Sequence, residues 1–313
     1  MTTEPTIIFM GTPDFAVPCL KALHASPFRV AMVVTQPDRP KGRGRQMTPP
    51  PVKVAAQHLG YEILQPQAVR LPECISRLTA AAPDYFVVVA FGQILPRPVL
   101  SIPRWGAVNV HASLLPRFRG PAPIQWAIIR GEHETGVTTM LMDHGVDTGD
   151  ILLKARTPIH AEDTAAELHD RLAGMGAELL VKTLHGLQKG SVFPRMQNNG
   201  QATYAPMLRK EDGRMDWRKS AAGLDALVRA MTPWPGAYCY LGDERLRIFR
   251  SSALPAPGQA EPGTVLPSFP DELRVATGDG ILLVQELQSP SGKRMLVKDF
   301  LHGHAISPGT KLI

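Results

Sequence analysis

The chain has 313 residues, 44% of them hydrophobic, and a mean hydropathy of -0.07, which allows two folded domains with sizeable cores. A formal charge of +6 and a pI near 9.3 permit a polyanionic partner but carry no information about fold. No apolar run approaches the roughly 20 residues that span a bilayer, and the amino terminus lacks the basic, apolar and small-residue pattern of a secretory signal, so a cytoplasmic protein with no membrane partner is expected.

In chain order, short β-branched or apolar runs predict strands over residues 7–10, 30–35, 85–90, 107–111 and 137–142. Helix-like stretches lie between several of them, over 16–24, 51–59 and 72–81, the last opening on Pro72 as helix starts often do. Alternating strands and helices argue for a mostly parallel sheet covered on both faces, a Rossmann-type α/β domain. The first turn, Gly11-Thr12-Pro13-Asp14-Phe15, is not GxGxxG, and no acidic ribose partner follows about 20 residues on. A dinucleotide cofactor is therefore not expected. Helical sequence resumes over 161–187, with Glu162 and Asp163 in its first turn, and polar, irregular residues 189–206 read as a linker. Beyond it, a helix over 221–231 precedes predicted strands over 237–241, 245–249, 264–266, 273–277, 281–287 and 294–298, with a hairpin turn at Thr277-Gly278-Asp279-Gly280. Short strands with Gly and Pro turns predict a small OB-like β-barrel. The expected division is 1–188, a linker over 189–206, and 207–313.

Asn109-Val110-His111 ends the 107–111 run, and Leu114-Leu115-Pro116 stops it. Alternate residues of a strand share a face, so Asn109 and His111 are expected side by side at the carboxyl edge of the sheet, where open α/β sheets bind ligands. Asp143-His144-Gly145-Val146-Asp147-Thr148-Gly149 places a carboxylate on a tight loop at a second strand end. Amide, imidazole and carboxylate together suit acyl transfer. Asn109 and His111 can donate to the oxyanion of a tetrahedral intermediate, and Asp147 can accept the proton of the attacking nucleophile and orient His111. Alone, His111 reads as a structural histidine; Asn109 and the following SLLP single it out. Ser113 lacks the GxSxG setting of a nucleophile and reads as a capping or positioning residue. Asp143, Asp147, Asp150 and His144 do not follow the spacing of a calcium loop, and no metal is expected.

Cys19, Cys74 and Cys239 are far apart and form no CxxC, which indicates neither a disulfide framework nor a zinc site and predicts buried, inert thiols. Between Asp38 and Lys53 stand five basic residues, Arg39, Lys41, Arg43, Arg45 and Lys53, against one acid. Lys41-Gly42-Arg43-Gly44-Arg45 reads either as a solvated loop or as a flexible finger that follows phosphates. Phe91-Gly92-Gln93-Ile94-Leu95-Pro96 is either a plain strand exit or the wall of an aromatic ligand's pocket.

With these motifs in view, the chain resembles the methionyl-tRNA formyltransferase family nearly end to end. The resemblance rests on Phe9-Met10-Gly11-Thr12-Pro13-Asp14-Phe15-Ala16, Gln36-Pro37-Asp38-Arg39-Pro40 with Gly42-Arg43-Gly44, the Asn109 to Pro116 segment and the Asp143 to Gly149 loop. It continues in Pro233-Trp234-Pro235-Gly236-Ala237 and in Gly292-Lys293-Arg294-Met295 with Asp299-Phe300-Leu301. SLLP and the aspartate loop are shared with other folate-dependent formyltransferases; the basic loop and the carboxyl-terminal motifs narrow the group. Phe118 and Pro121 stand where Trp and Ala are more usual. The resemblance implies formyl transfer from 10-formyltetrahydrofolate, a cosubstrate, to the α-amine of methionine on charged initiator tRNA. It implies folate against Phe91, Gly92, Gln93, Ile94, Leu95, Ser113, Leu114, Leu115 and Pro116, tRNA against Lys41, Arg43 and Arg45, and a tRNA-contacting carboxyl-terminal barrel; a monomer is expected. A formyltransferase for a nucleotide sugar or purine precursor is the nearest rival, and a non-catalytic tRNA-binding protein a more distant one.

Overall fold

The computed structural model describes residues 4–41, 44, 46–255 and 260–313, without the side chain of Lys41. The first part of the chain forms β1 (Thr6–Gly11), α1 (Val17–His24), β2 (Arg29–Val34), β3 (Arg39–Lys41), β4 (Gln46–Thr48), α2 (Pro51–His58), β5 (Ile63–Leu64), α3 (Pro72–Ala80), β6 (Tyr85–Val89), α4 (Arg97–Leu100) and β7 (Ala107–His111). It continues through α5 (Pro123–Ile129), β8 (Glu134–Leu141), β9 (Ile151–Pro158) and α6 (Ala165–Gln188). Last come α7 (Ala221–Met231), β10 (Ala237–Leu241), β11 (Glu244–Leu254), β12 (Leu273–Ala276), β13 (Ile281–Gln288), β14 (Met295–Leu296) and α8 (Val297–Gly303).

Two compact units are not contiguous in sequence. One comprises Met1–Gly120, Thr135–Thr157 and His169–Ala205; the other comprises Pro121–Glu134, Pro158–Leu168 and Pro206–Ile313. The first unit carries a seven-stranded sheet in the order β5-β2-β1-β6-β7-β8-β9. Strands β5, β2, β1, β6 and β7 are parallel, and β8 runs antiparallel to β7. The expected Rossmann-type, mostly parallel sheet is therefore present. Ile7, Ile8, Phe9 and Met10 are all fully buried, because successive side chains of β1 enter opposite layers of a sheet covered on both faces. Ile8 and Met10 join Met32, Val34, Phe86 and Val88 in one apolar cluster that also takes in Cys74 and Leu78 of α3. Cys19, Cys74 and Cys239 are buried and free. Burial pushes the Cys19 and Cys239 thiols up to about 12 and raises that of Cys74, so little thiolate exists at neutral pH.

Strand β9 escaped the sequence reading because it lies at the sheet edge, where Lys154 and Arg156 interrupt its apolar side chains. Helix α6 also departs from expectation: it begins at Ala165, after Glu162 and Asp163. Thr164 and Glu167 cap its start reciprocally, with Thr164 N–H to Glu167 Oε2 at 2.9 Å and Glu167 N–H to Thr164 Oγ1 at 3.4 Å. Asp163 instead accepts the His160 amide at 2.7 Å.

In the second unit β10, β11, β13 and β12 form an antiparallel sheet in that order, with β14 added to β13. The sheet curls into the expected OB-like shape, and short pairings join its two edges. Leu241 of β10 bridges Leu312, Lys311 bridges Thr264, and Val265 bridges Val275 of β12. The expected strand over 264–266 is thus only a pair of isolated bridges, too short for a ladder but placed at the seam. The expected strand over 294–298 is corrected as well: Met295–Leu296 pairs with β13, and the chain then turns into α8, whose Val297 and Phe300 enter the core. Residues three apart lie on one face of a helix, so both reach the same apolar cluster. Leu312 is 2% exposed and sits in that cluster too. Leu312→Ala is expected to cost about 2–5 kcal/mol, read as a lower midpoint in denaturant unfolding of the barrel's tryptophan signal.

Candidate active site

The carboxyl ends of the parallel strands open on two neighbouring features. The first is a cavity of about 490 Å³ lined by residues that include Thr12 and Pro13 after β1, Gln36 and Arg39 after β2, and Ala90, Phe91 and Gly92 after β6. The chain leaves β1 toward β2 on one side and later adds β6 on the other; this reversal of strand order is where open α/β sheets leave a crevice. Thr12 Oγ1 donates to the Phe91 carbonyl at 2.8 Å, and Arg39 Nη2 donates to Gln36 Oε1 at 3.1 Å. Lys53 is paired with Asp38 at 2.7 Å. Hydrogen bonds from Gln65 and then Lys53 hold the Asp38 carboxyl below its usual range. The charge of Lys53 is therefore matched locally, and it does not add to the cationic surplus of the segment. Arg43, Arg45, Gly42 and the Lys41 side chain, the centre of the expected tRNA finger, lie outside the described residues; the flanking β3 and β4 form a two-stranded antiparallel hairpin.

The second feature lies at the end of β7. Asn109 and His111 stand on one face of that strand, as alternation requires. Asn109 Nδ2 donates to the Val88 carbonyl at 3.2 Å, leaving a second N–H, while its buried Oδ1 has no hydrogen-bond partner among the described residues. An unpartnered buried amide oxygen is costly unless a ligand supplies a donor. His111 Nε2 lies 2.9 Å from the Phe118 carbonyl, and its Nδ1 lies 3.7 Å from Asp147 Oδ2. A carbonyl only accepts, so Nε2 carries hydrogen and Nδ1 is the nitrogen that faces the carboxylate. Asp147 Oδ2 also accepts the Gly120 amide at 2.7 Å. The structure thus brings His111 and Asp147 together, with Asn109 beside His111 on the strand.

The two outer partners have unusual backbones. Phe118 has φ +59° and Asp147 φ +54°, the left-handed region that side chains rarely occupy. Both are locked by sequence-remote groups: Thr203 Oγ1 accepts the Phe118 amide at 2.8 Å, and Gln197 Nε2 donates to the carbonyls of Asp147 and Gly149 at 2.8 and 2.7 Å. Sequence reasoning missed Gln197 and Thr203 because they fall in a segment with no periodicity.

The residues expected at the folate are of two kinds. Phe91 and Leu95 belong to the core cluster beneath the crevice. Gly92 and Ile94 are exposed, Ile94 at 86%, and Gln93 is tied to Val69 N–H and the Pro66 carbonyl. Ser113, Leu115 and Pro116 are buried and Leu114 half-buried. Ser113 Oγ donates to the Arg117 carbonyl at 2.7 Å, as a positioning residue does. Among the described residues no three His, Cys, Asp or Glu side chains form a metal-binding cluster, and no helix is long and apolar enough to cross a membrane.

Gly149 closes the aspartate loop. A Cβ there would lie 1.7 Å from the Leu141 carbonyl oxygen, a backbone atom of β8 that cannot yield without moving the strand. Gly149→Ala is expected to cost about 1–3 kcal/mol or more and to lower turnover by displacing Asp147, as denaturant unfolding and steady-state kinetics would register.

The family model described as Formyl transferase matches residues 6–184, and that described as Formyl transferase, C-terminal domain, matches residues 207–305. The chain is 52% identical over 307 residues to a methionyl-tRNA formyltransferase of Citrifermentans bemidjiense, covering 98% of this chain and 96% of the relative. It is 51% identical over 306 residues to one of Desulfotalea psychrophila, covering 98% and 95%. Among solved structures, an N-formyltransferase of Helicobacter canadensis in complex with folinic acid and dTDP-3-aminofucose superposes with a TM-score of 0.64 at 18% identity, over 94% of this chain and all of that one. That last likeness concerns fold alone. With both family models matched and about half of all residues shared end to end with methionyl-tRNA formyltransferases, the chain belongs to the methionyl-tRNA formyltransferase family.

Proposed function

We propose that this enzyme transfers the formyl group of 10-formyltetrahydrofolate to the α-amine of methionine esterified to initiator tRNA, with Asn109, His111 and Asp147 at the reacting carbon. The observation that carries the assignment of residues is the His111 ring held between the Phe118 carbonyl and the Asp147 carboxylate.

The amine attacks the formyl carbon directly. A new N–C bond forms, the C–N bond to folate breaks, and the proton lost by the amine must reach the departing folate nitrogen. An α-amine with a pKa near 8 is partly protonated at neutral pH and becomes more acidic as its bond to carbon forms. A nitrogen or water placed about 2.8 Å from each partner, an ordinary hydrogen-bond distance, can touch both His111 Nδ1 and Asp147 Oδ2, since these are 3.7 Å apart. That position lets Asp147 take the proton and His111 pass it on. Asn109 suits the other half of the problem. Its second amide N–H can meet the developing oxyanion, and its unpartnered Oδ1 can accept an N–H of the attacking amine. Since Nε2 is held by Phe118, only Nδ1 of His111 remains to face the reacting centre.

For the donor, Gly92, Ile94 and Leu114 provide the accessible part of the expected folate wall, while Phe91, Leu95, Ser113, Leu115 and Pro116 shape it from beneath. Lys41, Arg43 and Arg45 are assigned to tRNA phosphates, and residues 207–313 to a tRNA-contacting barrel. Residues 1–188 would then carry the chemistry, with 189–206 leading to the barrel.

Incubation with 10-formyltetrahydrofolate and charged initiator tRNA should yield N-formylmethionine on mass analysis of the released amino acid, and charged elongator tRNA should yield far less. His111→Ala and Asp147→Asn are each expected to reduce turnover by roughly 10²- to 10³-fold with tRNA affinity nearly constant; unchanged turnover in either removes that residue from its role. Arg43→Ala should weaken tRNA binding at low salt and reduce the slope of log affinity against log salt by about one, because one phosphate contact is lost. An unaltered affinity and slope exclude that contact.

A further inference from the structure

The geometry points to Arg119, Gln197 and Thr203 as positioning residues that hold both neighbours of the His111 ring in place. This rests on the reading of His111 and Asp147 as reacting groups. His111 touches two turns, one before α5 at Phe118 and one before β9 at Asp147, and each turn is in the left-handed conformation. Such conformations persist only where surrounding structure over-determines them. Here the surrounding structure is a single irregular segment, residues 195–205, which lies some 50 to 85 positions away from those it restrains.

The restraint is built in two arms. Thr203 Oγ1 accepts the Phe118 amide at 2.8 Å, the Thr203 carbonyl accepts the Arg119 amide at 2.8 Å, and the Arg119 carbonyl accepts the Ala205 amide at 2.7 Å. That arm sets the Phe118 carbonyl that fixes His111 Nε2. In the other arm Gln197 Nε2 donates to the Asp147 and Gly149 carbonyls, and its Oε1 accepts from Arg119 Nε and Nη2 at 3.1 and 2.7 Å. Arg119 Nη2 also donates to Asn199 Oδ1 at 2.8 Å. Arg119 is 2% exposed, and its guanidinium forks onto amide oxygens, fixing which face of the Gln197 amide points at Asp147. Gly120, next to Arg119, closes the circuit by donating to the Asp147 carboxylate at 2.7 Å. Arg119 thus links the two arms, and through them the carbonyl and the carboxylate on either side of one imidazole.

Thr203→Val removes the hydroxyl at nearly constant volume, and Thr203→Ser restores it. Gln197→Ala removes the other arm. Thr203→Val and Gln197→Ala are expected to lower kcat roughly 10- to 100-fold, the usual effect of small misplacement of reacting groups, with the KM for charged initiator tRNA and for 10-formyltetrahydrofolate within about twofold. Thr203→Ser should recover most of the lost kcat. Nitrogen-15 NMR of His111 should show the Nε2–H form in the unsubstituted protein and in Thr203→Ser, and a mixture of tautomers in Thr203→Val. Loss of kcat in Thr203→Val without rescue by serine, or with an unchanged His111 spectrum, overturns the proposal, as does wild-type kcat in both Thr203→Val and Gln197→Ala. If Gln197→Ala does not fold, the valine and serine pair decides alone. His111→Ala run alongside separates the two levels: wild-type kcat there defeats the assignment of His111 itself, whereas an inactive His111→Ala beside fully active Thr203 and Gln197 variants defeats only the positioning role.

Discussion

The imidazole of His111 is held by an acceptor on one nitrogen and faces a carboxylate with the other. The Phe118 carbonyl can only accept, so it selects the ring tautomer, and it thereby decides which nitrogen is turned to Asp147. Every other feature of the site follows from keeping that arrangement. Strand β7 delivers Asn109 and His111 to one face, Gly149 admits the close approach of the aspartate loop to β8, and Gly120 binds the carboxylate through its backbone amide. The local conformations required, left-handed at Phe118 and Asp147, are not ones these residues adopt unaided.

The site is adjacent to, rather than within, the crevice of the parallel sheet. The cavity over β1, β2 and β6 is lined by Thr12, Gln36, Arg39 and Phe91, and its lining does not include Asn109, His111 or Asp147. Arg39 and Pro40 of β3 and Thr48 of β4 also line that cavity. Topology separates the two features: the reversal of strand order opens the cavity over β1, β2 and β6, while β7 and the turn before β9 carry Asn109, His111 and Asp147.

The second unit meets a different demand. An open antiparallel sheet presents unpaired edges, and here residues 264–265 and 311–312 join β12 to β10 by three isolated bridges. Few hydrogen bonds are involved, but Leu312 and Val265 bring apolar side chains into the core at the same place. The core also receives Ala122, Trp126 and Ile129 from around α5, far upstream in sequence. Continuity along the chain is therefore a poor guide to which residues share a core.

Much of this was legible in the residues themselves. Short apolar runs located β1, β2, β6 and β7, helix-like stretches located α2 and α3, and Asn109-Val110-His111 followed by SLLP placed an amide and an imidazole on one face at a strand end, because alternation in a strand is a local property. Elements whose character depends on what covers them were not legible. The edge strand β9, the start of α6 behind a reciprocal cap, the bridges at 264–265 and the turn from β14 into α8 all take their conformation from neighbours distant in sequence. The same distinction runs through the site. Residue types and spacing determine that an amide, an imidazole and a carboxylate are available at two strand ends. Which imidazole nitrogen faces the carboxylate, and that Arg119, Gln197 and Thr203 hold it there, was decided only by the tertiary structure, since hydrogen bonds spanning 50 to 85 residues leave no periodic trace in the chain that makes them.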